Sequence, residues 1–264
     1  KSQNILNIAS EMNILPDSLV FADDNPAERE IVREHGGGVA VPEIGTPDQY
    51  IRVLDHNGYF EVTALSEDDR KRNEMYKANA QRAKEQAAFT DYGAYLDSLD
   101  MKATIASFES VYMARIAQLT NKSNQFNLTT RRYTQAEIEQ AAADPNCITL
   151  YGKLEDKFGD NGVVSVVIGH EEADALHMDL WLMSCRVLKR DMEFAMMDQL
   201  AAECKKRGIT TIYGYYYPTA KNGMVKNFYE LQGFEKIADQ DGNTVWKFEV
   251  LSDYTNKNSH IKVN

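Results

Sequence analysis

Cysteine, proline and tryptophan are scarce in this chain: 3, 6 and 2 residues among 264. The cysteines, Cys147, Cys185 and Cys204, are odd in number and widely spaced. That pattern excludes a disulfide framework and matches no zinc set. A reducing, cytoplasmic setting is the expectation that follows. Gly and Pro, 15 and 6 residues, are too few for a collagen-like or low-complexity chain. No apolar run approaches the ~18–20 residues that a membrane span needs. No charged n-region followed by an apolar h-region opens the sequence. Cations are short as well: 29 Lys and Arg against 40 Asp and Glu leave a net charge of −11. That balance excludes general nucleic-acid binding, because phosphate contacts need a surplus of Lys and Arg. It leaves room for a local basic pocket around a phosphorylated small molecule.

What is present is a globular composition, with 43% hydrophobic residues, close to the ordinary share. The sequence opens at Lys1 directly into a helical pattern, with Ile5, Ile8, Ala9 and Met12 on one face. A start inside an element is expected of a piece of a longer chain. Leu19–Ala22 and Val39–Val41 read as short buried parallel strands, and Pro26–Glu34 between them reads as a helix capped by Asn25. This helix–strand–helix–strand order predicts part of a doubly wound α/β sheet. Capping-box patterns at Thr46 and Ser66 predict further helices, the second over roughly 67–88. A short helix near Tyr92–Leu99, a strand near 102–106 and a helix near 108–119 follow. Gln118–Tyr133 is polar and lacks a clean period.

The second half has another rhythm. Thr134 caps a helix that Asp144-Pro145-Asn146 ends. Strands are predicted near 147–155, 162–170 and 175–187, with Gly159–Gly162 as the first hairpin turn. A helix over 191–207, a strand over 209–216, a helix over 221–231 and strands over 234–239 and 244–249 complete the pattern. The predicted fold is α/β: a partial doubly wound sheet, then an α+β domain with a mixed, mainly antiparallel sheet. The expected divisions are 1–65, a helical connector over 66–130, a second domain over 131–252, and a frayed polar tail over 253–264.

Asp23 and Asp24 end the first predicted strand, where α/β folds place ligands. Paired carboxylates suit Mg²⁺. Helix capping by Asp24 or Asn25 explains the same residues without a metal.

The string Phe21-Ala22-Asp23-Asp24-Asn25-Pro26-Ala27-Glu28-Arg29, with Val39-x-Val41-Pro42-Glu43 after it, resembles subfamily IIIC of the haloacid dehalogenase (HAD) superfamily, and within it the FkbH-like proteins. The likeness continues through Tyr59-Phe60-Glu61 and Ser66-Glu67-Asp68-x-Arg70. It is longest over Gln118–Lys122 and Asn124–Tyr133. It implies a hydrolase of the phosphatase or phosphotransferase type. Asp23 and Asp24 would bind Mg²⁺, and Lys1 would balance phosphate charge. The family's nucleophilic Asp-x-Asp-x-Thr string does not occur in this sequence.

Trp181–Leu188 leads through Lys189-Arg190 into a predicted helix start. Such a start favours a pyrophosphate, although both cations also suit a solvated loop. Tyr213–Asn222 leads to Asn227-Phe228-Tyr229-Glu230-Leu231-Gln232-Gly233-Phe234, which resembles the end of a GCN5-related N-acetyltransferase (GNAT) domain. The likeness implies an acyl-CoA cofactor, with Lys189 and Arg190 at its pyrophosphate and Tyr229 as general acid. Tyr229 is expected to face the cleft and Phe228 to pack inward. The family's Gly-rich loop is broken here by Glu193. His170, His177, Cys185 and Cys204 fit no zinc spacing, and the cysteines read as inert core.

Three functions follow. The first is that of an FkbH-like enzyme: Mg²⁺-dependent phosphoryl and acyl transfer from a phosphorylated three-carbon donor to a carrier-protein thiol. The second is acetyl-CoA-dependent N-acetyl transfer. The third is a non-catalytic, partner-binding GNAT-like domain. An acidic carrier protein needs a basic patch on this surface, for which Arg131, Arg132, Lys189 and Arg190 are the candidates.

Overall fold

A computed structural model describes residues 1–12, 14–61, 70, 72–250 and 253–264. The chain divides into two compact units, Lys1–Ala83 and Lys84–Asn264. No helix among the described residues is long and apolar enough to cross a membrane.

The first unit contains α1 (Ser2–Glu11), α2 (Pro26–His35) and α3 (Tyr50–His56). The Asn25 side chain accepts from Ala27 N–H at the start of α2, and Pro26 fills the first position. Gly36 follows α2, where a Cβ would meet the Val32 carbonyl oxygen at 2.4 Å. Ile5 and Val32 pack with Val39, joined by Leu19, Phe21 and Val41. The predicted strands meet in one parallel bridge, Val20 with Ala40. The doubly wound sheet expected of a HAD-like domain is therefore not developed in the described residues. Two such short segments give each other one bridge and few ladder bonds. The predicted capping box at Ser66–Asp69 lies outside the described residues. α4 (Arg72–Gln86) carries the chain onward.

The second unit is built on one eight-stranded mixed sheet, mainly antiparallel as expected. Its strands are β1 (Met101–Ala106), β2 (Cys147–Asp156), β3 (Gly159–Glu172), β4 (Ala175–Met183), β5 (Thr211–Tyr216), β6 (Glu235–Gln240), β7 (Asn243–Glu249) and β8 (Ile261–Val263). Their order is β6-β7-β5-β4-β3-β2-β1-β8. Only β4 with β5 and β1 with β8 pair in parallel. One face is covered by α6 (Met113–Lys122) and α7 (Gln135–Ala143), through Ile116, Leu119 and Ile138. The opposite core takes α5 (Tyr92–Ser98), α8 (Met192–Arg207) and α9 (Phe228–Leu231). Trp181 and Leu200 in that core are fully buried, each contributing ~1.5–3 kcal/mol by leaving water. The Thr134–Glu137 capping box forms as predicted.

Three expectations change. Residues 66–130 are not a purely helical connector, because β1 joins the large sheet. Gly159–Gly162 lies within β3, and the hairpin turns at Lys157-Phe158. The terminal segment is not frayed: β8 pairs with β1. Its anchor is the buried Asp198 on α8, which accepts from Tyr254 Oη at 2.6 Å, Lys257 N at 2.9 Å and Asn258 N at 2.9 Å. A polar tail is thus held by a carboxylate 56 to 60 positions away, which composition cannot show.

Candidate functional site

In the first unit Lys1 and Asp23 do come together. Lys1 Nζ is 2.5 Å from Asp23 Oδ2, and Asn25 N–H donates to Asp23 Oδ1 at 2.9 Å. These two bonds, Lys1's first, hold the Asp23 carboxyl below its usual range. The same bond to Asp23 raises Lys1. Arg29 is buried and donates to the carbonyls of Asp23 and Asp24 at 2.9 and 3.1 Å, and its other nitrogen pairs with Glu43. Asp24 is exposed. Both oxygens of Asp23 are thus engaged by N–H donors. Among the described residues no three metal-ligating groups converge here. The donor set at Asp23 and Asp24 does not fit a Mg²⁺ ion, which needs several oxygen ligands at once.

In the second unit β4 and β5 pair only from Ala175–His177 to Thr211–Tyr213, then part. The notch between them is lined by this chain's own residues 126–129. Met183 N–H donates to the Phe126 carbonyl at 3.0 Å, and Leu128 N–H to the Trp181 carbonyl at 3.1 Å. Tyr217 N–H donates to the Leu128 carbonyl at 2.9 Å, and Thr129 Oγ1 to the Asp179 carbonyl at 2.7 Å. Asn222, fully buried, ties the segment down from the other side, donating to the carbonyls of Asn127 at 3.0 Å and Tyr217 at 2.9 Å. The polar block without a period therefore acts as a short strand in the notch. It takes up backbone groups that an extended ligand would use.

Tyr229 and Phe228 both pack inward, so the expected division between them fails. Phe228 meets Phe126 and Trp181 edge-on. Tyr229 is buried against Phe234 and Gly214. Its hydroxyl lies by the Tyr215 backbone and has no acceptor. Burial pushes its pKa far up.

The start of α8 also departs from expectation. Arg190 is buried, pairs with Asp156 at 3.1 Å and donates to the Arg186 carbonyl at 2.8 Å. Lys189 is exposed, and its carbonyl accepts from Tyr92 Oη. Asp191 stands at the helix cap with φ 61° and lies 3.7 Å from His260. Glu193 follows, raised by burial, with Oε2 unpartnered. Two carboxyls and one committed guanidinium make a poor seat for a pyrophosphate. Arg190 is thus committed to Asp156 and the Arg186 carbonyl, Lys189 alone of the two stays exposed, and the acidic helix start does not fit the pyrophosphate of an acyl-CoA.

Of the four cations proposed for a basic patch, Arg131 is paired with Asp179, and Arg132 holds Asn124 and the Thr120 carbonyl. Arg131, Arg132 and Lys189 are exposed, whereas Arg190 is buried. Sequence reasoning missed one pair: His177 Nδ1 is 2.7 Å from Tyr215 Oη, and its ring stacks on Tyr213. The alternation Tyr213–Tyr215–Tyr217 was the available signal. Cys147 is pushed up to about 11, first by burial and then by Asp144. Cys204 is buried and raised to about 12 by burial, as an inert core thiol is.

No protein-family model matches the sequence, and no curated protein matches it. Solved structures do show similarity. The ribosomal-protein-S18-alanine N-acetyltransferase of Escherichia coli aligns with 60% of this chain and 99% of its own, at 14% identity and a TM-score of 0.43. The PaiA N-acetyltransferase of Thermoplasma acidophilum, solved with coenzyme A, aligns with 56% and 99%, at 13% identity and 0.42. The GNAT domain of S. lividans PAT aligns with 55% and 89%, at 14% identity and 0.43.

Proposed function

We propose that Lys84–Asn264 is an acyltransferase module that receives an acyl thioester against β5, beside the notch that residues 126–129 occupy. Tyr229 is the observation that carries this reading. Its phenol is a buried donor with no acceptor, set beside β5 where that strand leaves β4. A buried donor left unpaired costs about 1–3 kcal/mol. A departing thiolate would supply the missing acceptor, and Tyr229 would act as its general acid. Burial keeps the phenol protonated at neutral pH. Transfer to an amine, as in an N-acetyltransferase, is the simplest form.

The acidic start of α8 favours a thioester held without a pyrophosphate seat. In the fuller form of this reading, the thiol belongs to a carrier protein. A second reading, non-catalytic partner binding, is favoured by the residues 126–129 that fill the notch.

The test is thiol release from acetyl-CoA and from S-acetyl-N-acetylcysteamine, a small thioester without a pyrophosphate, with an amine present. Acyl transfer predicts release above the protein-free rate. Tyr229→Phe should lower it by about 10²–10⁴-fold. No release from either thioester at millimolar concentration favours the partner-binding reading.

A further inference from the structure

We infer that Asp144, Cys147 and His170 form a binding site for a divalent transition-metal ion, with Zn²⁺ the best match. The site is separate from the notch and does not rest on the acyl-transfer reading.

Cys147 opens β2, and His170 lies directly opposite it on β3. Directly opposed residues of an antiparallel pair project from the same face with close Cβ atoms. Cys147 Sγ is accordingly 3.8 Å from His170 Nδ1. Asp144, at the end of α7, brings a carboxylate oxygen to the same place. The three ligand atoms all lie within 4.8 Å of one another. In a tetrahedral zinc site, metal–sulfur and metal–nitrogen bonds of 2.3 and ~2.0–2.1 Å put neighbouring ligand atoms ~3.6 Å apart. The observed spacing is within about an ångström of that.

The backbone around the ligands is fixed. Asn146 N–H donates to Asp144 Oδ1 at 2.9 Å, which orients the carboxylate and leaves Oδ2. Cys147 N–H donates to the Asp144 carbonyl at 3.0 Å, and Glu171 N–H to the Asn146 carbonyl at 2.7 Å. Arg207 holds the Pro145 carbonyl at 2.8 Å. Such support around a ligand set raises metal affinity. A thiolate, an imidazole and a carboxylate make a borderline-soft set that suits zinc or cobalt and disfavours Mg²⁺ and Ca²⁺. Three protein ligands leave a fourth position open to water. His170 is exposed and the other two are half-buried, so an ion can enter from solvent.

Cobalt(II) is the probe, added alone to the tag-free 264-residue chain at neutral pH. The expected result is one bound equivalent, with a sulfur-to-cobalt charge-transfer band and the visible bands of a tetrahedral ion, both displaced by Zn²⁺. Cys147→Ser should abolish the sulfur band. His170→Ala, at an exposed position, should weaken binding by about tenfold or more. Cys185→Ser should leave the spectrum unchanged. Circular dichroism of each variant separates lost ligation from lost folding. No sulfur band at millimolar cobalt overturns the inference. So does a band that survives Cys147→Ser in a folded protein, or one that disappears in Cys185→Ser instead.

Discussion

The ring of Tyr229 packs directly on Gly214, where a side chain would take its room. A Cβ at position 214 would meet Tyr229 Cε1 at 2.3 Å and Cζ at 2.4 Å. The residue that carries the acyl-transfer reading is thus placed by the missing side chain of a neighbouring strand.

Gly214→Ala should therefore lower stability by about 1–3 kcal/mol, the usual cost of overpacking a dense core. Denaturant unfolding reads this directly. Tyr229→Phe keeps the ring and should not rescue the variant. Tyr229→Leu, which removes the ring, should recover part of the loss. Full additivity of Gly214→Ala with Tyr229→Leu would show that the two residues do not share this space.

Asn222 should prove to be the residue that holds residues 126–129 in the notch. Asn222→Ala leaves the carbonyls of Asn127 and Tyr217 without their buried donor. A loss of about 1–3 kcal/mol follows. Hydrogen exchange at Leu128 and Met183 should speed up more than at Leu150. Unchanged protection at both amides would mean that the strand bonds alone keep the segment seated.

Asp198 should anchor the C-terminal segment. Asp198→Ala removes the acceptor for Tyr254 Oη, Lys257 N and Asn258 N. Bonds to a charged group are worth ~1.5–3 kcal/mol each in context, though they do not add in full. Exchange at Ile261 and Val263 should rise towards that of an unpaired chain. Protection retained there would place the anchor in the β1 pairing itself.

Glu193 should make stability fall as pH rises through the weakly acidic range. Burial raises its folded-state pKa above the ordinary 4.5, so the fold holds this proton more tightly than the unfolded chain does. Its contribution is complete below about pH 4.5 and is lost as pH climbs through the higher folded value. Glu193→Gln keeps the shape, cannot ionise, and should flatten this dependence and raise the denaturant midpoint at pH 7. A variant no more stable than the parent at pH 7 would contradict the assignment.

Asp23 should titrate below its ordinary 3.8 because Lys1 and Asn25 N–H donate to it. Its contribution to stability is present above that value and fades as pH falls through the lower folded one. Carboxyl NMR shifts should show the midpoint move up in Lys1→Met. An unmoved midpoint would mean that the Lys1 contact is not held in solution.

Much of the second unit was legible in the residues themselves. The strands predicted near 147–155, 175–187 and 209–216 formed as β2, β4 and β5, and only β5 alternates in burial. The Thr134–Glu137 capping box and the Gly208 stop are decided within a few positions, and they formed where predicted. The roles of Tyr229, Arg190 and residues 126–129 were not legible. Each depends on a partner far along the chain: Gly214 for Tyr229, Asp156 for Arg190, and β4, Tyr217 and Asn222 for the segment in the notch.

The sequence by itself determined composition class and the order of most elements. These follow from side-chain period, capping and turn chemistry, which act over a few residues. Only the tertiary structure decided what the polar groups do. It spent Arg190 on Asp156 and Arg131 on Asp179, and it set Cys147 opposite His170 through a strand register 23 positions apart. A charge or a ligand atom has no function until its neighbour is fixed, and those neighbours are fixed by sheet order and register rather than by spacing along the chain.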